Sequence, residues 1–303
     1  MELKGTWIDD TFAEAFGMKF TRVIVTAHDE FWLQAALREL TGYGSSVIGC
    51  DAEVGVERHL GEGETPDGRT GAAVLLFAFS TEALGKALVN RIGQSVMTCA
   101  TTAVYDGLPE VESRLPLGRS LRFFGDGYQK SKRLGGRRYW RIPVMDGEFV
   151  VEESAGVGRG VAGGNFVIEA AELSEALTAA RRAVDTLAPM PELITPFPAG
   201  IARSGSKVGS RYAGLIASTA DAFCPTLRGR VESRLHPDAH VALEVVIDGT
   251  TESVVAEGMR RAIEAAAGEG VVAISAGNYG GKLGKHPIHL RPLLAKGEPG
   301  GRA

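Results

Sequence analysis

Short apolar runs and segments of helical periodicity alternate along the first third of the chain. The strand-like run FTRVIVT, Phe20 to Thr26, precedes an amphipathic segment that should form a helix ending at Gly42. Its predicted core face consists of Trp32, Ala36, Leu37 and Leu40.

A second strand and helix follow. AAVLLFAF, Ala72 to Phe79, predicts a buried strand, and Ser80 is a suitable N-cap for a helix that Gly93 should end. The core face of this helix should carry Leu84, Leu88 and Ile92. QSVMT, directly after it, is interpreted as a short strand.

The second half repeats this order. Three strands are predicted here, with a helix in each interval between them. They are NFVIEAA from Asn165, VALEVVI from Val241 and VVAIS from Val271. The first helix should bury Leu173, Leu177, Ala180, Val184 and Leu187, and the second Val255, Met259, Ala262 and Ala266.

This repeat predicts an α+β fold of two split βαβ lobes, each an antiparallel sheet with helices on one face. The 303 residues suit two domains of about 150 residues. We place the N-terminal, or proximal, lobe at residues 1–146 and the C-terminal, or distal, lobe at 147–303, with a frayed tail from about residue 292.

Composition and charge narrow the function classes. Apolar residues make up 44% of the chain and charged residues 23%, as in a folded, water-soluble protein, and the net charge of −4 gives no sign of nucleic-acid binding. The basic run at Lys130 to Arg141 is interpreted as a solvated hairpin. Without a secretory signal or a membrane-spanning run, we expect a cytoplasmic protein with no membrane partner.

Three familiar motifs fail on inspection. ISAGNYGGKLG, Ile274 to Gly284, lacks the spacing and the hydroxyl of a P-loop, which leaves a backbone anion nest or, preferably, a glycine-rich loop closing a strand. Gly158, Gly160 and Gly163 match G-x-G-x-x-G but precede a strand rather than a helix. The histidine pairs and the three separated cysteines suggest no metal site.

Glu244 is the residue that stands out. In VALEVVI both strand faces are otherwise apolar, so its carboxyl should be buried and its pKa raised. A neutral carboxylic acid can donate a hydrogen bond or a proton to a developing oxyanion. The alternative is a structural glutamate paired with a buried arginine or lysine.

Several loops resemble, in chain order, those of formylmethanofuran:tetrahydromethanopterin formyltransferase. The similar segments, which cover the chain from about Met1 to about Leu290, are DTFAEAF at Asp10, GYGSSVIGC at Gly42, ETPDGR at Glu64, RIGQSVMT at Arg91, FFGDGYQ at Phe123, GVAGGNF at Gly160, PFPAGIARSGSKVGS at Pro196, STADAFCPT at Ser218 and ISAGNYGGKLG at Ile274.

The resemblance implies a cytoplasmic enzyme of two ferredoxin-like lobes related by internal duplication, assembled as homodimers and a homotetramer. It implies formyl transfer between tetrahydromethanopterin and methanofuran derivatives, which are substrates, with no permanently bound cofactor and no metal. Glu244 matches the buried glutamate that the family is thought to use.

Further site candidates come from three polar loops. Expected donors to the formyl oxygen or to anionic substrate tails are Ser204, Ser206, Lys207, Asn278 and Lys282. The aromatic and polar turn with Asp126, Tyr128 and Gln129 suits a pterin or furan ring. Ordinary turn structure and a packed hairpin are the alternatives for these loops.

Unlike the strongly acidic methanogen members, this chain is rich in Ala, Gly and Arg. This suggests the methylotrophic-bacterial type, which uses a dephosphorylated pterin carrier, works from pterin to methanofuran analogue and belongs to a formyltransferase/hydrolase complex. In such a complex the chain could be a largely non-catalytic scaffold subunit, but retention of Glu244 favours an active enzyme. A formamide hydrolase is disfavoured because no evident nucleophile or metal site is present.

Overall fold

The computed structural model describes residues 1–295. The helices in this range are α1 Glu30–Thr41, α2 Thr81–Arg91, α3 Gly118–Leu121, α4 Leu173–Leu187, α5 Glu252–Ala266 and α6 Leu290–Ala295. The strands are β1 Glu2–Leu3, β2 Thr6–Ile8, β3 Phe12–Thr26, β4 Glu53–Leu60, β5 Gly71–Ala78, β6 Ala103–Asp106, β7 Arg114–Pro116, β8 Lys130–Leu134, β9 Arg137–Val144, β10 Gly147–Glu152, β11 Ser154–Gly156, β12 Gly158–Ala170, β13 Leu193–Ile194, β14 Ile201–Ala202, β15 Ser206–Val208, β16 Ala217–Thr219, β17 Val241–Gly249, β18 Val271–Ser275 and β19 His286–His289.

The chain forms two compact units. Unit A consists of Met18–Gly160, and unit B combines Met1–Gly17 with the segment that starts at Val161. Each unit contains a sheet and helices, so the mixed α+β architecture with two domains is confirmed. The predicted tail from residue 292 starts inside α6, and its last eight residues lie outside the described residues.

In unit A the strands follow the order β4-β5-β3-β6-β10-β9-β8, with β6 and β10 parallel and the other neighbours antiparallel. The helices α1 and α2 pack their apolar residues into one core with this sheet. The basic run is the hairpin β8-β9, and every residue of β8 is exposed, as a solvated hairpin requires.

Three sequence expectations in unit A were wrong. Leu33, not Trp32, belongs to the buried face of α1, while Trp32 keeps 36% of its surface exposed. Gly93 does not end α2, because residues Ile92–Val96 continue as a π-helical turn closed by the bond from Met97 N–H to Ile92 C=O. The strand expected at QSVMT is therefore absent from this segment.

Buried Arg91 gives a physical reason for this irregular end. Its guanidinium donates hydrogen bonds to the backbone carbonyls of Leu40, Gly42 and Tyr43 and to the carboxylate of Asp51. These bonds tie the last turn of α2 to the end of α1, and a widened turn lets the chain continue from that fixed point.

In unit B, β12 is central and pairs antiparallel with both β17 and β18, while β18 pairs parallel with β2. The short strands β13 and β14 pair with the other edge of β17. The helices α4 and α5 pack on one face of this sheet. All of the predicted strands of this half are present, as is the buried face of α5.

The buried face of α4 differs from the prediction. Leu173 and Leu177 are 55% and 44% exposed. The predicted core positions Ala180 and Leu187 are confirmed as buried, and the remaining core positions are the fully buried alanines Ala176, Ala179 and Ala183. Small side chains let a helix approach its neighbours closely, so the prediction was wrong for Leu173 and Leu177.

No helix among residues 1–295 is both long enough and apolar enough to cross a membrane.

Candidate active site

Alternation along β17 separates the core of unit B from a second sheet face. Leu243, Val245 and Ile247 are buried under α4 and α5. Glu244 and Val246 occupy the alternate positions and therefore project from the opposite face.

Strand register brings further polar residues to the same face. Glu244 lies opposite Val167 on β12, and Ser275 on β18 lies opposite Val167 from the other side. Asn165 and Glu169 precede and follow Val167 by two residues, so they share its face. The sheet face opposite the helices thus carries two carboxyls, an amide and a hydroxyl, all contributed by adjacent strands.

Glu244 is half-buried rather than fully buried. Desolvation raises the pKa of this carboxyl to about 7 and is the only cause of the shift. Within residues 1–295 it has no basic partner and accepts no hydrogen bond, which disfavours the structural ion pair considered as the alternative. A carboxyl with this pKa is about half protonated at neutral pH, and its protonated form is free to donate.

Two glycines leave room for this carboxyl. A Cβ added to Gly205 would lie 2.9 Å from Glu244 Oε2, and one added to Gly277 would lie 3.4 Å from Glu244 Oε1. The same positions are close to Ala220 Cβ and to Asn165 Oδ1, respectively. Backbone therefore lines both sides of the carboxyl, where any larger residue would displace it.

Asn165 fixes one of these walls. Its Oδ1 accepts a 2.6 Å hydrogen bond from Gly277 N–H, and its Nδ2 donates to Gly277 C=O at 3.1 Å. The bidentate contact sets the position of Gly277 beside Glu244. Sequence reasoning missed Asn165, although its place on NFVIEAA, the strand next to VALEVVI, was a usable signal.

The predicted donors of the 204–207 loop have different environments. Ser204 and Ser206 flank Gly205, the glycine beside Glu244. Lys207 forms an ion pair with Asp221 across the β15-β16 hairpin. The structure thus brings the two serines to the Glu244 region, whereas the lysine ammonium is occupied by a neighbouring carboxylate.

The glycine-rich loop after β18 forms a backbone anion nest, and the anion is the chain's own Glu14 carboxylate. Glu14 Oε2 accepts hydrogen bonds from Tyr279 N–H and Gly281 N–H at 2.7 and 2.8 Å. Glu14 Oε1 accepts from Leu283 N–H and Gly284 N–H at 2.6 and 2.7 Å. The segment is thus a nest and not the simple strand-closing loop that the sequence favoured, so that prediction was wrong.

These bonds change what the loop can offer a substrate. Burial raises the pKa of Glu14, but the four backbone hydrogen bonds outweigh burial and hold the pKa below its ordinary value. Asn278, a predicted donor, uses its amide to donate to Thr11 Oγ1 and Phe12 C=O, both at 3.1 Å. Lys282 is exposed. Four backbone donors of the loop and the Asn278 amide are therefore already engaged within unit B.

The aromatic turn belongs to unit A. Asp126 has a left-handed φ of 49°, and Tyr128 is 78% exposed. Gln129 Oε1 accepts a hydrogen bond from Gly127 N–H at 2.9 Å and so closes the turn. Phe123 and Phe124 are also exposed. The turn presents aromatic surface, while its glutamine has a structural contact.

Glu169 is a second unusual carboxyl that sequence reasoning missed. The residue is fully buried, and desolvation raises its pKa to about 7 despite a 2.7 Å hydrogen bond from His236 N–H to Oε2. Its Oε1 has no hydrogen-bond partner among the described residues, and the same holds for Ser275 Oγ. Unsatisfied buried polar groups are uncommon in folded proteins, and these two share the face of Glu244.

A cavity of about 310 Å³ in unit A is a weaker candidate site. It is lined by charged residues, including Arg114, Arg137 and Glu152. Arg114 pairs with Asp106, and Arg137 pairs with Glu152, so these guanidinium groups already have partners. Across residues 1–295, no group of three or more His, Cys, Asp or Glu side chains is arranged to hold a metal ion.

Comparison with known proteins gives the same family for both halves of the chain. A family profile for formylmethanofuran-tetrahydromethanopterin formyltransferase matches residues 1–144, and one for the proximal lobe of this family matches residues 147–293. The second description gives the name proximal lobe to the C-terminal half, the reverse of the naming used in the sequence analysis.

The relatives are similar along nearly their whole length. A formylmethanofuran–tetrahydromethanopterin formyltransferase of Methylobacillus flagellatus is 52% identical over 303 residues, covering 97% of this chain and 100% of the relative. A formylmethanofuran:tetrahydromethanopterin formyltransferase structure from Methanosarcina barkeri has 45% identity and a TM-score of 0.90, over 97% of this chain and 100% of that one.

A chain of the Methylorubrum extorquens formyltransferase/hydrolase complex FhcABCD, crystallised with methylofuran, has 47% identity and a TM-score of 0.93. The match covers 97% of this chain and 98% of that one. With both halves matched and identities near one half, this chain belongs to the formylmethanofuran:tetrahydromethanopterin formyltransferase family.

Proposed function

We propose that this chain is an acyltransferase that moves a formyl group between tetrahydromethanopterin, or its dephospho form, and methanofuran or an analogue. Family membership supports the reaction. The observation that carries the site assignment is Glu244, a half-buried residue whose carboxyl has a pKa raised to about 7 and no partner among the described residues.

The chemistry explains why such a carboxyl is needed. The acceptor nitrogen attacks the formyl carbon, a C–N bond forms, and the carbonyl electrons move to oxygen to give a tetrahedral oxyanion. Protonated Glu244 donates a hydrogen bond to this oxyanion or a proton to the departing nitrogen as the second C–N bond breaks. Where Glu244 has transferred its proton, its carboxylate recovers one from the attacking nitrogen, so the enzyme returns to its starting state.

The walls beside Glu244 serve positioning. Gly205 and Gly277 let the formyl group approach the carboxyl, and Ser204 and Ser206 supply hydroxyl donors close by. Lys207, Asn278 and Lys282 contribute through the shape and charge of the two loops. The exposed turn with Asp126, Tyr128 and Gln129 contacts a ring of one of the two carriers. Holding the two amines in line with the formyl carbon accounts for a large part of the rate enhancement in such a transfer.

We also propose that each unit is a ferredoxin-like lobe and that the two lobes arose by duplication. The order β4-β5-β3-β6 in unit A supports this, because the chain order strand-helix-strand-strand-helix-strand then gives an antiparallel sheet with two helices on one face. The order β17-β12-β18 with α4 and α5 supports the same plan in unit B. Family profiles that end at residue 144 and begin at 147 support an evolutionary boundary near residues 146 and 147.

For assembly, we propose a homodimer or homotetramer in the cytoplasm that also joins other subunits in a formyltransferase/hydrolase complex. The similar Methylorubrum extorquens chain, described as a subunit of such a complex, supports this association.

The test is formyl transfer by the purified chain alone, from the formylated pterin carrier to methanofuran or its analogue, with free formate followed in the same vial. Transfer without formate is expected. No transfer by a folded protein would support the scaffold alternative, and formate release without transfer would contradict the reaction class.

A further inference from the structure

The loop after β18 is folded around a carboxylate that the proposed chemistry does not use. We propose that Glu14 is a positioning residue that shapes the wall beside Glu244, acting through Gly277 and the anion nest. The inference rests on the proposed function for its effect on turnover, but its structural part can be tested without turnover.

The nest is unusually complete for an intramolecular contact. Four backbone N–H groups of residues 279–284 converge on the two oxygens of Glu14, at 2.6 to 2.8 Å. Gly280 and Gly281 have φ values of +74° and +72°, which supply the left-handed backbone that such a concave arrangement uses. Charge-assisted bonds of this kind are among the stronger ones in proteins.

The contact extends directly to Gly277. The backbone N–H of Glu14 donates to Gly277 C=O at 3.3 Å, the same carbonyl that Asn165 Nδ2 contacts. Glu14 therefore contacts the glycine-rich loop twice. Its main chain binds Gly277, and its side chain binds the backbone of residues 279–284. Gly277 is also the residue that lies against Glu244 Oε1.

It follows that the nest is not a site for a substrate phosphate. Glu14 is 1% exposed, and its carboxylate already accepts hydrogen bonds from all four backbone N–H groups of the nest. A free anion would have to displace this carboxylate. The Glu14 carboxylate fills the nest in place of a bound anion and so holds the glycine-rich loop in a single conformation.

Three variants separate this role from general stability. In Glu14→Gln an amide NH2 group replaces one carboxylate oxygen and faces two backbone N–H donors, to which it cannot serve as acceptor. Glu14→Asp keeps the charge on a shorter side chain. Glu14→Ala leaves the nest empty. The matched control is Glu57→Gln in unit A, which removes a buried carboxylate that binds Arg22 at 2.6 and 2.7 Å.

The readout that needs no turnover is the pKa of Glu244, followed by NMR with ¹³C-labelled glutamate. Glu244 faces Asn165 and the backbone of Gly205 and Gly277, and no charged group contributes to its pKa shift. If Glu14→Gln loosens the wall, water reaches the carboxyl and its pKa falls by about one unit or more toward the ordinary value. An unchanged Glu244 pKa in both Glu14→Gln and Glu14→Ala would overturn the inference.

The second readout is turnover and its rescue. We expect Glu14→Gln and Glu14→Ala to lower kcat by about tenfold to a hundredfold, the range that a displacement of about 1 Å can cause. Glu14→Asp should retain more activity than Glu14→Gln. Acetate, but not acetamide, should restore part of the Glu14→Ala rate by filling the nest, and Glu57→Gln should keep the wild-type rate.

The outcomes separate the two proposals. If the wild-type chain itself transfers no formyl group, the proposed function fails, while the Glu244 titration still decides the role of Glu14. If the wild type is active and all Glu14 variants match it, the positioning role fails and the proposed function stands.

Discussion

At the scale of single residues, three strand carboxyls of unit B differ in pKa, which is raised for Glu244 and Glu169 and lowered for Glu14, and hydrogen bonding explains the difference. Glu244 accepts no hydrogen bond among the described residues, and Glu169 accepts one, so desolvation dominates in both. Glu14 accepts four and stays ionised. The number of donors around a buried carboxyl therefore decides its protonation state and the chemistry open to it.

The first residue-scale prediction concerns proton donation. Glu244→Gln removes the acid but keeps the shape, so kcat should fall by about 10² to 10⁴-fold while the fold is retained. Steady-state kinetics with a circular dichroism spectrum of the variant would check this. Glu169→Gln, on the same sheet face, is the control and should stay within about threefold of the wild type. Full turnover by the Glu244 variant would exclude the proposed role.

The second prediction is the pH dependence of the same carboxyl. The acid form is the donor, so activity of the wild type should fall as pH rises through about 7. This alkaline limb should disappear from the residual activity of Glu244→Gln. A pH profile of kcat/KM for both proteins would test the assignment, and an identical limb in the variant would assign it to another group.

The same raised pKa makes the stability of the fold depend on pH, and the Glu244→Gln variant tests this second side of the pH prediction. The folded-state pKa of Glu244 lies above its ordinary value of 4.5, so the folded state binds more protons than the unfolded state between about pH 4.5 and 7. Stability is therefore lost as pH rises through this window. Glu244→Gln should raise Tm above pH 7 and leave it nearly unchanged at pH 5. A lower Tm at pH 8 would contradict this sign.

The third prediction concerns the glycine wall. Gly205→Ala places a methyl group 2.9 Å from Glu244 Oε2, closer than real contacts allow, so either the carboxyl or the loop must move. We expect kcat to fall by about tenfold or more. Gly63→Ala, where an added Cβ meets nothing within 4 Å, is the matched control. Equal activity of the two variants would show that the approach of backbone to Glu244 has no catalytic importance.

At the scale of secondary structure, α4 shows how packing overrides apolar periodicity. Its leucines at 173 and 177 are the larger apolar residues, yet the alanines lie in the core shared with α5 and the sheet. Helices that meet through alanine can approach more closely than helices that meet through leucine, and the close contact buries backbone as well as side chains. The identity of the partner surface decided which face of α4 is buried.

The fourth prediction tests this face. Ala180→Leu inserts three carbon atoms into a fully buried contact and should lower the free energy of unfolding by about 1 to 3 kcal/mol. Leu177→Ala removes an exposed side chain and should change it by about 0.5 kcal/mol or less. Urea unfolding of both variants would distinguish the observed face from the predicted one, which placed both residues in the core.

At the scale of the whole molecule, unit B combines the N-terminal 17 residues with the C-terminal half. Glu14 comes from the first segment and the loop that it organises from the second, so the nest requires both ends of the chain. Truncation of the first 17 residues would remove β1, β2 and the Glu14 carboxylate together.

The fifth prediction concerns assembly. A homotetramer should have four times the chain mass of 32.0 kDa, which light scattering coupled to size exclusion would measure. A measured mass equal to that of one chain at every protein concentration would contradict the proposed oligomer. Activity measured across the same series would show whether assembly is required for transfer.

The sequence by itself determined the two-domain α+β class, the main helices and the family, because helix periodicity is local and the glycine-rich segments occur in a fixed order, but it missed the strands β4 and β6. It also singled out Glu244, since one acidic residue in an apolar strand is visible without coordinates. It failed where local patterns compete with packing, as in the π-helical turn at Ile92–Val96 and the exposed leucines of α4.

Only the tertiary structure decided which polar residues meet. Asn165, Glu169 and Ser275 share the face of Glu244 because strands distant in the chain pair in one register. The nest closes between residues 14 and 284, a separation at which sequence periodicity carries no information. Side-chain pKa values depend on these long-range contacts, so the chemistry of the face followed from the fold and not from the local sequence.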